Sequence, residues 1–103
     1  MRTPHFKYVR KRKELVELLQ NKGIHDQSVL AAIGKIERQL FIPDSALHGH
    51  AYENKAFPIG AEQTISHPYT VAFQSQLLQV GKGDKILEIG TGSGYKAAVL
   101  AEL

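Results

Sequence analysis

At 103 residues, 43% of them apolar and 22% charged, the chain has the size and composition of one globular domain with a modest core, so disorder is not its expected state. It has no cysteine, which excludes disulfides and thiolate metal sites. The formal net charge is only +3, and no run approaches the roughly 18 apolar residues of a membrane-spanning helix.

The amino terminus, Met1 to Lys7, carries charge with no apolar stretch behind it, so it does not read as a secretory signal. A cytoplasmic location is the expectation. Residues 8–22 read as a helix with Val9, Leu15, Val16, Leu18 and Leu19 as its apolar stripe and Gly23 as its stop. The basic run Arg10-Lys11-Arg12-Lys13 reads as a solvated face, because Glu14 and Glu17 stand four residues after Arg10 and Lys13. No interleaved aromatics of the kind that stack bases accompany it, so neither nucleic acid nor membrane is expected as a partner.

Asp26 is the expected N-cap of a second helix, whose Val29, Leu30, Ile33 and Ile36 share a face. Gly34 weakens it by about 1 kcal/mol relative to alanine. Glu37-Arg38 closes this helix before Phe41-Ile42-Pro43 imposes extended backbone. Residues 39–67 show no helical period, and Lys55 to Ile59 is at most an edge strand because of Pro58. Their aromatic and apolar content makes this a packed loop serving a site. Tyr52 and Phe57 read as packing residues, and His48 and His50 as loop surface.

A third helix begins at Pro68, with Ser66 or His67 as its cap. Val71, Ala72, Leu77, Leu78 and Val80 form its expected buried face, and Gly81 ends it. Residues 85–89 read as a buried parallel strand that turns through glycines into a last helix, from Gly94 to Leu103. Two regions follow from this reading: residues 1–67, helices plus an active-site loop, and residues 68–103, the start of a Rossmann-like domain. The five histidines include one close pair and no acidic partner at ligand spacing, so no metal site is expected.

The chemistry gathers in two places. Gly90, Gly92 and Gly94 free the backbone for positive φ and for close approach by a ligand. The dinucleotide fingerprint G-x-G-x-x-G fails here, because Tyr95 occupies its third glycine position. The segment Glu88 to Gly94 instead resembles the E-x-G-x-G-x-G pattern of S-adenosylmethionine-dependent methyltransferases, in which no pyrophosphate needs to sit on the helix. Glu88, closing the strand, is placed to meet the amino group of that cofactor directly or through water.

The second place is Glu62-Gln63-Thr64-Ile65-Ser66-His67-Pro68. Together with Arg38-Gln39-x-Phe41-Ile42-Pro43, Ala51-Tyr52-x-Asn54-x-Ala56-x-Pro58-Ile59-Gly60 and Leu87 to Tyr95, it closely resembles the protein-L-isoaspartate O-methyltransferases. The resemblance covers roughly residues 10–103, which is only the amino-terminal half of the family's usual length. It implies an α/β fold: amino-terminal helices, then the first strand, glycine loop and helix of a Rossmann-like methyltransferase sheet. It also implies methyl transfer from S-adenosyl-L-methionine to the α-carboxylate of L-isoaspartyl residues in damaged proteins, the ester then collapsing to a succinimide. By the same resemblance Ser66 is the active-site serine, Thr64 and Ile65 lie in the segment closing over the cofactor, and Gly90, Thr91, Gly92, Ser93 and Gly94 form the cofactor loop.

Read from the residues alone, Ser66 is first a helix cap, and only the resemblance raises the catalytic role above that; His67 reads as a solvent-facing neighbour. The acid that would hold the cofactor ribose falls about 20 residues past the glycines, beyond Leu103. The chain is therefore expected to be a truncated portion that neither binds the cofactor tightly nor turns over unaided. The rival readings are another methyltransferase, a nucleotide-dependent oxidoreductase on the same half-fold, and a non-enzymatic helical interaction module.

Overall fold

The computed structural model describes residues 5–60, 63–78 and 94–103. Four helices appear among them: α1 (His5–Asn21), α2 (Gln27–Lys35), α3 (Pro68–Leu78) and α4 (Tyr95–Glu102). Between α2 and α3 come two 3-10 turns, Arg38–Phe41 and Ser45–His50, and a hairpin of β1 (Phe57–Gly60) and β2 (Gln63–Ile65). The expected strand 85–89 and its glycine loop up to Ser93 lie outside the described residues, as does Val80.

The first helical junction follows its sequence signals. Gly23, at φ 103°, occupies the left-handed region. Its N–H donates to the Gln20 carbonyl at 3.1 Å and that of Ile24 to the Leu19 carbonyl at 3.0 Å, the paired bonds of a Schellman motif. The Asp26 carboxylate then accepts from the N–H groups of Ser28 (2.9 Å) and Val29 (3.3 Å), capping α2 as expected. Gln76 of α3 braces this junction from outside: its side-chain oxygen accepts from the N–H groups of His25 and Asp26, both at 2.9 Å.

Helix α2 packs against α1, α3 and α4. The core collects Leu15 and Leu19 from α1, Val29, Ala32 and Ile33 from α2, Val71 and Ala72 from α3, and Tyr95 and Val99 from α4. Val9 and Leu18, read above as part of the α1 stripe, are 44% and 38% exposed. Arg10 and Glu14 do face each other at 3.6 Å on the solvated side, but Arg12 of the same basic run is buried, against the expectation of a solvated face.

Two further expectations need correction. Helix α3 buries Pro68, Val71, Ala72 and Ser75, whereas Leu77 and Leu78 are 66% and 54% exposed. At 100° per residue Leu77 falls nearly opposite that stripe. Leu78 returns toward it, but on the last turn, where no described residue covers it. Residues 39–67 are also more regular than a loop, since β2 pairs antiparallel with β1 in the register Phe57–Ile65, Pro58–Thr64 and Gly60–Gln63, shifted between Pro58 and Gly60. Among the described residues the ribbon has only these two strands, so each keeps an unpaired edge, where Pro58 is tolerated.

Candidate active site

Strand β2 buries only its last residue, and Gln63 is exposed. Thr64 is exposed, Ile65 is 1% exposed in the core opposite Phe57, and Ser66, just past the strand, is exposed again. The hydroxyl of Ser66 thus stands on the outer side of a segment anchored by Ile65.

Ser66 is not the cap of α3. The cap position falls to His67, whose carbonyl accepts from Val71 at 3.2 Å. The N–H of Tyr69 donates to the Asn54 side-chain oxygen at 3.0 Å. A residue from the preceding loop thus supplies the capping oxygen that sequence proximity assigned to Ser66 or His67.

The main chain of Ser66 is held from the other side by Arg38. This arginine is 0% exposed. Its Nε donates to the Ala51 carbonyl at 2.7 Å, and its Nη2 donates to the carbonyls of Lys55 (3.0 Å) and Ser66 (2.9 Å). Its guanidinium carbon lies 4.7 Å from the centre of the Tyr95 ring, a cation–π geometry. Burial lowers the Arg38 pKa, and the neighbouring Tyr95 works against that shift.

Tyr95 opens α4, directly after the glycine pattern. Gly94 sits at the N-cap of α4 with φ 84°, the left-handed region that favours glycine. A Cβ at Gly94 would meet the Phe41 ring at 3.8 Å, an ordinary contact, so backbone conformation and not crowding selects glycine there. Phe41 also meets Tyr95 edge-on, ring centres 5.7 Å apart. The turn Arg38–Phe41 therefore touches both Ser66 and the start of α4.

A second buried arginine stiffens the loop that carries Asn54. Arg12 donates through Nε to the Gly34 carbonyl at 3.0 Å and through Nη1 to the Tyr52 hydroxyl at 2.9 Å. Tyr52 donates in turn to Gln39. Tyr52 and Phe57 are buried, as expected of packing residues, whereas His48 is half-buried and donates from Nε2 to the Ile42 carbonyl at 2.7 Å.

Glu88, Gly90, Thr91, Gly92 and Ser93 lie outside the described residues, so of the expected cofactor loop only Gly94 is placed. Thr64, Ile65 and Ser66 belong to one short segment, which Arg38 links to α4. Sequence reasoning used Arg38 only to close the second helix and as part of a motif. Its one signal was an arginine among the buried-type residues Leu40, Phe41 and Ile42, too weak to separate it from a surface charge. Among the described residues no cluster of three or more His, Asp or Glu could hold a metal ion, and no helix is long and apolar enough to cross a membrane.

Residues 10–103 match the family model described as protein-L-isoaspartate(D-aspartate) O-methyltransferase. The chain belongs to this family. A protein-L-isoaspartate O-methyltransferase of Christiangramia forsetii is 58% identical over 98 residues, covering 95% of this chain and 46% of the relative. One from Flavobacterium johnsoniae is 65% identical over 89 residues, covering 86% of this chain and 41% of the relative. A solved protein-L-isoaspartate O-methyltransferase superposes with a TM-score of 0.77 at 32% identity, covering 88% of this chain and 30% of that one. The fold described above is thus the family's fold over the shared part. The chain spans less than half the length of these relatives.

Proposed function

We propose that this chain supplies the acceptor-side loop and the opening of the cofactor site for S-adenosyl-L-methionine-dependent methylation of L-isoaspartyl α-carboxylates in damaged proteins. The observation that carries this reading is the family match across residues 10–103, which includes Ser66, exposed at the end of β2.

The residues suit such a cofactor. Gly94 has the left-handed backbone that a glycine pattern needs to turn into a helix, and Thr64 is exposed on the segment proposed to close over the cofactor. Glu88, Gly90, Thr91, Gly92 and Ser93 are proposed to complete that site on a Rossmann-like sheet. Ile65, with its side chain in the core, can share in it through its main chain. When bound, S-adenosyl-L-methionine supplies an electron-poor methyl carbon and a neutral thioether as leaving group.

A carboxylate is ionised at neutral pH, so the acceptor needs no general base. Ser66 then acts as a hydrogen-bond donor that aligns the acceptor carboxylate, not as an attacking nucleophile, and the gain is one of orientation and water exclusion. Residues 1–103 by themselves carry less than half the relatives' length and are expected not to turn over unaided.

The test joins residues 1–103 to the carboxyl-terminal remainder of the Christiangramia forsetii relative and measures labelled methyl incorporation into an isoaspartyl peptide. Transfer that falls sharply in Ser66→Ala supports the reading. A chimera that folds and binds S-adenosyl-L-methionine but methylates no isoaspartyl peptide would overturn it.

A further inference from the structure

We propose that Arg38 is a positioning residue for methyl transfer: its buried guanidinium ties the main chain of Ser66 to the start of α4, and so sets where the Ser66 hydroxyl stands relative to the cofactor side of the site. This inference rests on the proposed function of Ser66.

Three observations carry it. Ser66 is exposed, so packing does not hold its side chain, and its location depends on main-chain restraints. Those restraints come from outside its own strand and helix: Arg38 Nη2 holds the Ser66 carbonyl at 2.9 Å, and Asn54 holds the N–H of Tyr69 at 3.0 Å. The same guanidinium lies 4.7 Å from the Tyr95 ring centre, one residue after Gly94. A single rigid group thus spans the acceptor loop and the helix that follows the glycine pattern.

The residue type matters as much as the place. Burying a guanidinium is costly, and here three carbonyls and an aromatic face offset part of that cost. The donors are fixed in a plane, so the distances between Ala51, Lys55 and Ser66 are fixed with them. A lysine would retain the charge but not this fork. Loss of registration between a catalytic group and its partner by about 1 Å can cost about 100-fold in rate.

The experiment uses the chimera described above, with Arg38→Lys, Ser66→Ala and the double variant. Arg38→Lys is expected to lower kcat by about 10- to 100-fold, with the KM for S-adenosyl-L-methionine much less changed. In the Ser66→Ala background it should cost almost nothing more, because there is no longer a hydroxyl to place. A fully additive loss overturns the proposal, since a merely structural arginine would reduce both backgrounds alike.

Amide hydrogen exchange gives a second reading. Faster exchange confined to residues 63–69 and the start of α4 is expected in Arg38→Lys, and unchanged exchange there overturns the proposal. Should Ser66→Ala keep full activity, the positioning role falls with the role of Ser66, and locally accelerated exchange would show that the functional reading failed while the clamp itself stands. If Arg38→Lys does not fold, Asn54→Ala releases the other end of the same segment and is read by the same cycle.

Discussion

The side-chain oxygen of Asn54 accepts the N–H of Tyr69 at 3.0 Å, so the first turn of α3 is capped by a residue 15 positions earlier. A capping side chain removed to alanine typically costs about 1 kcal/mol. Asn54→Ala should therefore lower the unfolding free energy by that amount, seen as a lower urea midpoint, while Asn54→Asp, which keeps the acceptor, should recover most of it. Equal losses in both variants would show that the capping bond is not what Asn54 contributes.

Gly94 holds φ 84° where an added Cβ would have room beside Phe41. Left-handed backbone costs a non-glycine residue about 1–2 kcal/mol. Gly94→Ala should be destabilised by about that much in chemical unfolding, and Gly94→Val by clearly more. An unchanged midpoint in both would mean that the turn into α4 relaxes to negative φ.

Tyr52 is the shared partner of Arg12 and Gln39 inside the core. Phenylalanine would fill the same space but strand one buried donor and one buried acceptor, at a cost of about 1–3 kcal/mol. The loss in Tyr52→Phe should show as a lower midpoint with an unaltered denaturant slope.

Burial pushes the Tyr95 phenol up to about 12, against an ordinary value of 10.0, with the Arg38 charge opposing the shift. The fold favours the neutral phenol. Its contribution is therefore complete below pH 10.0 and is lost as pH rises through about 12. Tyr52 is shifted the same way by burial and is common to both proteins compared. Unfolding free energies measured from pH 8 to about 12 should fall more steeply for the wild type than for Tyr95→Phe. Parallel curves would remove Tyr95 from the alkaline transition.

The legible parts of this molecule are those whose cause lies within a few residues. Gly23 ended a helix, Asp26 capped one, Pro68 opened one and Gly94 turned the chain into the last, each by a local backbone preference. The motifs around Ser66 and Gly94 pointed to the family that the comparisons then showed. The hairpin was missed on its second strand, because three residues, Gln63 to Ile65, are too few to display an alternating pattern. The exposure of Leu77 and Leu78 was missed because hydropathy reports what a residue favours and not what reaches it.

What residue order determined by itself is the helical frame, the capping at its junctions and the membership of the chain in its family, because backbone preferences and contiguous motifs act over short spans. What only the tertiary structure decided is which distant polar groups meet: Arg38 on the carbonyls of Ala51, Lys55 and Ser66, and Asn54 on the N–H of Tyr69. A guanidinium or an amide is a good surface group in any sequence. It becomes a clamp only when the fold brings distant carbonyls or N–H groups within its reach, and for Arg38 also withdraws water from it.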